Sequence, residues 1–192
     1  MPGDPALKRA TYADVLAQPE HIVAELVRGV LHTLPRPRLR HAAAASVLGE
    51  ELGPPFKRAR GGPGGWIILD EPELHLGSRP DKVAPDLAGW RRERLPQLPD
   101  TAAFTLAPDW ICEVLSEGTE RLDRIKKARI YAREGVVHYW LLHPVQRTLE
   151  VMRNEGGRWV TLAGFSVEDG DTLIRAEPFD AIELDLGALF KA

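Results

Sequence analysis

Apolar positions along this chain change their spacing at intervals, and the changes mark out its elements. A short helical pattern over 11–18 ends at Pro19, with Thr11 placed to cap it. β-branched and leucine-rich runs over 21–27 and 30–34 flank Arg28-Gly29, where glycine can take the positive φ of a hairpin turn. Prolines 35 and 37 stop the second run. The alanine- and leucine-rich stretch 39–52 predicts a helix closed by Gly53-Pro54, and Gly61 to Gly65 a loop. Strands are predicted over 66–69, 73–76 and 83–90, followed by a connection through Pro96, Pro99 and Asp100 that reads as an exposed, mobile flap. The run 110–115 is apolar except for Glu113 and predicts a buried central strand. A helix follows, capped by Thr119 and ended by Gly135 in the left-handed conformation. Strands over 136–142, 148–153 and 158–162, with a turn at 154–157, and a short helix over 184–190 complete the chain.

Composition narrows the class. With 192 residues, 44% of them hydrophobic and 28% charged, the chain suits one folded domain spanning 1–192. A net charge of -3 and a pI near 6.1 exclude nucleic-acid binding by overall basicity, so any such contact is local. A local asymmetry exists: Arg28, Arg36, Arg38, Arg40, Lys57, Arg58 and Arg60 face only Glu50 and Glu51, whereas the stretch from Glu168 onward is acidic. Two solvated surfaces of opposite sign would give the same pattern. The lone Cys112 excludes an intramolecular disulfide and a multi-cysteine zinc site. With no apolar signal core at the N-terminus and no apolar run of ~18 residues, a cytoplasmic protein is expected.

Charge inside predicted strands then points to chemistry. A carboxylate in a buried strand is costly unless something pairs with it. Asp86 closes Ala84-Pro85-Asp86, Glu113 interrupts the most apolar strand, and Lys126 and Lys127 come from the helix that follows. Phosphodiester hydrolysis needs a cation against the charge developing on phosphate, an activated water and a nearby donor. Magnesium takes oxygen ligands, one or two carboxylates among them, so Asp86, Glu113 and a backbone carbonyl such as that of Val114 could hold it. Each residue also has a plainer reading. Asp123 and Lys127 are spaced for a surface ion pair worth ~0.2–0.5 kcal/mol. Glu113 could pair with an arginine, and Pro85-Asp86 is a common turn pair. By alternation Glu25 reads as outward-facing, although it could also be a metal or water ligand. His41 reads as a cap or surface residue that could touch phosphate, and Cys112 as an inert small hydrophobe.

In the order Glu25 to Gly29, Pro85-Asp86, Pro108 to Ser116, Asp123 through Lys127 to Tyr131, and Gly135 to Leu141, these segments resemble the PD-(D/E)XK nuclease superfamily. Within it they are similar to the large bacterial restriction-endonuclease-like family of unknown function. The resemblance implies an α/β, restriction-endonuclease-like core: a mixed central β-sheet flanked by helices, with an N-terminal helix and β-hairpin. It implies a metal site where Asp86 and Glu113 meet at strand ends, and it gives weight to Glu25. The superfamily pattern expects lysine two positions after the glutamate. Leu115 stands there, so the role passes to Lys127, with Lys126 its neighbour. His138 and His143, where the family usually carries acids, lie outside the proposed site. The reading is a magnesium-dependent endonuclease, manganese being possible, acting on DNA before RNA and working as a homodimer. The competing reading is a non-catalytic nuclease-fold module that contacts nucleic acid or protein.

Overall fold

The computed structural model describes residues 9–19, 21–34 and 38–191. Pro35, Arg36 and Pro37, and the N-terminal segment read above, lie outside the described residues. Six strands form the central sheet in the order β10-β9-β8-β7-β6-β3, built from β3 (Trp66–Asp70), β6 (Leu87–Arg91), β7 (Trp110–Val114), β8 (His138–His143), β9 (Thr148–Glu155) and β10 (Arg158–Ser166). Only β7 and β8 run parallel, because the helical crossover between them returns the chain to the same end of the sheet. That crossover is a π-helical stretch, Leu122–Lys127, which runs into a helix at Ala128–Arg133; Gly135 ends it at φ 81°. A smaller sheet, ordered β2-β1-β5-β4, is made of β1 (Val23–Val27), β2 (Val30–Leu34), β4 (Leu74–Leu76) and β5 (Asp81–Val83).

Period-2 alternation divides the core between the two faces of the central sheet. Trp66, Ile68, Trp110, Cys112, Val114, Trp140 and Leu142 pack against α2 (Leu39–Leu52) and the C-terminal segment around Phe179 and Leu186. Ile67, Ala88, Ile111, Tyr139 and Leu141 face the crossover helix and the inner face of the smaller sheet, including Val27, Leu76 and Val83. Glu113 shares the face of Ile111 and therefore points toward the crossover. The N-terminal helix α1 (Tyr12–Leu16) covers the outer face of the smaller sheet with Val15 over Ala24 and Leu26. The Thr11 N–H and hydroxyl both donate to the Asp14 carboxylate, at 2.7 and 2.8 Å, which fixes the helix start. Among the described residues no helix is long and apolar enough to cross a membrane.

Gly89 on β6 shows how closely the core is packed. A Cβ there would lie 3.2 Å from both Trp110 Cε3 and Trp66 Cε3. Gly89→Ala is therefore expected to lower stability by about 1–3 kcal/mol, as overpacking does. A fall in the urea midpoint at unchanged slope would register it.

Four expectations need correction. The run 83–90 is two strands in different sheets: Ala84-Pro85-Asp86 lies between β5 and β6, and Pro85 has no N–H for a ladder. Gly53-Pro54 does not close the helical run that begins with α2. The φ of Gly53 is -60°, and the chain makes one wider π-type turn over Gly53–Lys57. Residues 184–190 hold a short strand, β12 (Leu184–Asp185, paired with β11, Leu173–Ile174), then a single 3-10 turn at Ala188–Phe190. The connection over 96–102 is exposed as expected but tied at both ends. Arg94 Nη1 lies 2.6 Å from Asp109 Oδ1, and Phe104 exchanges backbone hydrogen bonds with Glu73 and His75 while stacking on Trp90 at 4.6 Å.

Candidate functional site

The β6–β7 ladder ends at Leu87 and Cys112. The next group of β7 that points toward β6 is the Val114 N–H, and Asp86 stands where its strand partner would be: Oδ2 accepts that N–H at 2.7 Å. A strand residue's N–H and C=O point to the same side, so the Val114 carbonyl also faces this spot. His41, on the first turn of α2, reaches it as well. Its Nε2 lies 3.3 Å from Asp86 Oδ1, and its ring hydrogen-bonds the Val114 carbonyl. Burial opposes protonation of this ring, but the Asp86 and Val114 bonds outweigh it and raise the histidine's pKa. His41 is thus buried against Asp86 rather than capping a helix at the surface. The reason is tertiary: α2 lays its first turn across the end of the β6–β7 pair.

On the other face of the sheet three segments converge on one ammonium. Lys127 Nζ lies 2.7 Å from Glu113 Oε1 on β7, 3.2 Å from Glu25 Oε1 on β1 and 3.3 Å from Asp123 Oδ1 one turn earlier. Its side chain is 4% exposed, so the surface-pair reading of Asp123 and Lys127 does not hold. Glu25 likewise faces inward. Both faces of β1 are covered, Ala24 and Leu26 by α1 and Glu25 and Val27 by the core, so polar character does not mark the solvent side. Glu25 Oε1 also accepts the Ala84 N–H at 2.9 Å, next to Pro85-Asp86. The Tyr131 hydroxyl donates to Glu113 Oε1 at 2.6 Å.

Electrostatically the cluster is an excess of carboxylates around one cation. Three carboxylates lift the Lys127 pKa well above its ordinary value despite burial, so it stays an ammonium. Burial, with Asp123, Asp86 and Glu25 adding negative charge, pushes Glu113 well above the usual carboxylate range although Lys127 opposes it. Burial raises Asp123 too, against Lys127 and a hydrogen bond from Thr119. Tyr131 is raised well above its ordinary value by burial and by Glu113, so it remains a donor. Asp86, with its side chain 14% exposed against 2% for Glu113, is the acid solvent reaches more readily.

Asp86, Glu113, Val114, Lys127 and Glu25 are therefore brought to one region around the β6–β7 strand ends. Lys126 does not pair with these acids: its Nζ lies 3.5 Å from Nε2 of His32, the cross-strand neighbour of Glu25, at the margin of the cluster. Cys112 is fully buried, and burial beside Asp86 and Glu113 raises its thiol well above the ordinary range, so it is inert. His138 pairs with Glu177 at 3.4 Å and His143 accepts the Gln146 N–H, both outside the cluster. Sequence reasoning missed Tyr131 and the burial of His41. Tyr131 had a signal, because 123, 127 and 131 recur at helical spacing on one face. His41 had none within its own segment.

Among the described residues no three His, Cys, Asp or Glu side chains are grouped to hold a metal by themselves. The donors present do suit a hard divalent cation completed by water and substrate: two carboxylates, Asp86 and Glu113, and the Val114 carbonyl. Glu25 Oε2 is buried with no hydrogen-bond partner among the described residues, a further sign of uncompensated negative charge in the cluster.

A family model described as "Uma2: Putative restriction endonuclease" matches residues 10–187. The solved structure of an Anabaena variabilis protein, described as a "putative nuclease belonging to DUF820", aligns over 94% of this chain and 97% of that one. Its TM-score is 0.74 at 23% identity, which shows a shared fold. A comparison with curated proteins finds no match.

Proposed function

The chain belongs to the Uma2 family, whose description is that of restriction endonucleases, and from this premise we propose that it hydrolyses phosphodiester bonds in DNA with a magnesium ion, or manganese in its place. The observation that supports the reading best is the convergence on Lys127 of carboxylates from β1, β7 and the crossover helix, beside Asp86 at the strand ends. Asp86, Glu113 and the Val114 carbonyl would hold the ion, which when bound supplies Lewis-acid stabilisation of charge developing on the phosphate.

The chain's own residues do the rest. Lys127, kept charged by its three carboxylates, would assist the phosphate or the attacking water as a fixed positive charge behind Glu113. Glu25 and Asp123 fix that ammonium, and Tyr131 fixes Glu113, so the charge is in place before substrate arrives. The phosphate approaches from the Asp86 and His41 side, where exposure is greatest. Two copies of the chain, one on each strand, would account for double-strand cleavage. The buried lone thiol suits a reducing cytoplasm.

Calorimetric titration of magnesium and manganese into the native chain, Asp86→Asn and Glu113→Gln, paired with incubation of supercoiled plasmid, tests the reading. Saturable binding by the native chain alone and metal-dependent nicking abolished by EDTA are expected. Native protein that binds metal and leaves DNA and RNA intact would replace the enzyme with a non-catalytic nuclease-fold module.

A further inference from the structure

A second concave feature lies away from the carboxylate cluster. A cavity of about 500 Å³ opens where the β1–β2 turn, the chain entering α1 and the β4–β5 turn meet. Its volume is that of a small-molecule site. Leu26 lines it, and Leu26 shares the α1-covered face of β1 with Ala24, opposite the face that carries Glu25 and Val27. Five cationic side chains, Arg9, Arg28, Arg79, Lys82 and Arg133, line it with one acid, Asp81, while Glu73, outside the lining, is bonded to Tyr12, His75 and Lys82.

Asp81 is already engaged. It accepts the Arg28 backbone N–H and pairs with Arg133 Nη2 at 2.9 Å. Lys82 donates to the Ala24 carbonyl at 2.8 Å and lies 3.4 Å from Glu73. Among the described residues no ion pair joins the side chains of Arg9, Arg28 or Arg79 to an acid. Arg9 is fixed rather than free: Nη2 donates to the Arg28 carbonyl at 3.2 Å, and a Cβ at Gly29 would come within 2.6 Å of Arg9 Nε. The glycine at this turn therefore serves twice, giving φ 77° and letting a guanidinium lie on the backbone. Guanidinium groups gathered in a concavity without counter-charge repel one another, and their planar forks match phosphate oxygens. One wall is aromatic. Tyr12 and His75 meet edge to face with ring centroids 4.8 Å apart, and both line the cavity.

We propose that this cavity binds a nucleotide, its phosphate on Arg9, Arg28 and Arg79 and its base against Tyr12 and His75. A free nucleotide and the phosphorylated end of a DNA strand present the same chemistry. The proposal does not rest on the hydrolytic reading. Binding is to be measured by calorimetry on the full chain at low salt in EDTA, which keeps metal-dependent phosphate binding at the carboxylate cluster out of the readout. The probes are dAMP, deoxyadenosine, and a short single-stranded oligonucleotide with and without a 5′ phosphate. The expected result is saturable dAMP binding, at least about tenfold weaker for deoxyadenosine and for the Arg28→Ala/Arg79→Ala double variant, whose exposed side chains leave the core untouched. A phosphorylated oligonucleotide binding more tightly than dAMP identifies the strand end as the occupant; equal or weaker binding identifies the free nucleotide. Absence of saturable binding of either phosphorylated probe, or binding indifferent to the double variant, overturns the proposal.

Discussion

Lys127→Met is expected to be the most destabilising single change at the cluster, costing about 3–5 kcal/mol at neutral pH, because it leaves buried carboxylates without their cation. The ammonium has Glu113, Glu25 and Asp123 within 3.3 Å and is 4% exposed, so water cannot take its place. The sign follows from the shift. A lysine whose folded pKa lies above its ordinary 10.5 contributes stability fully below that value and loses it only as pH rises through the raised one. The whole contribution is therefore present at pH 7. In the methionine variant, acid should relieve the loss by protonating the carboxylates. Urea unfolding of the native and variant chains at pH 7 and pH 4 measures this: the gap should be wide at pH 7 and narrow at pH 4. Equal stability at pH 7 would mean that Lys127 does not compensate these acids.

Glu113→Gln should behave in the opposite way, lowering the proposed phosphodiester hydrolysis by at least about 100-fold while leaving the fold as stable as the native one or about 1 kcal/mol more so. Here the ammonium keeps Glu25 and Asp123, and the amide oxygen can still accept the Tyr131 hydroxyl. What is lost is one negative charge from a cluster that has too many. Because Glu113 is raised above its ordinary 4.5 in the fold, ionising it costs stability above that pH, and the cost grows until its folded pKa is passed. The variant's advantage should thus be absent below about pH 4.5 and emerge as pH rises, in metal-free buffer. A variant destabilised by several kcal/mol at neutral pH would show that Glu113 is there to hold the fold. Retained stability with lost cleavage marks a residue kept for chemistry at the fold's expense.

Much of this was readable along the chain because it is local. Glu113 announced itself as a charge inside an apolar run, Arg28-Gly29 as a hairpin turn and 39–52 as a helix, since period and turn chemistry are properties of a few neighbouring residues. The order of segments also sufficed to identify the fold family. The places where such reading failed share a cause. Pro85-Asp86 looked like the middle of a strand because nothing in 83–90 says that its halves join different sheets. Glu25 looked outward because alternation assumes one wet face, and β1 has none.

The sequence by itself determined the succession of elements, through hydrophobic period and turn chemistry, and Glu113 as an acid worth suspecting, through the cost of burying charge; the α/β core and the weight on Glu25 and Lys127 came from the resemblance carried by the order of segments. Only the tertiary structure decided which of those charges meet: that Lys127 rather than Lys126 enters the cluster, that His41 rests on Asp86, and that Tyr131 holds Glu113. Ion pairs and hydrogen bonds act over about 3 Å, and residues as far apart in the chain as Glu25 and Lys127 come within that range only through sheet pairing and the crossover that the whole fold imposes.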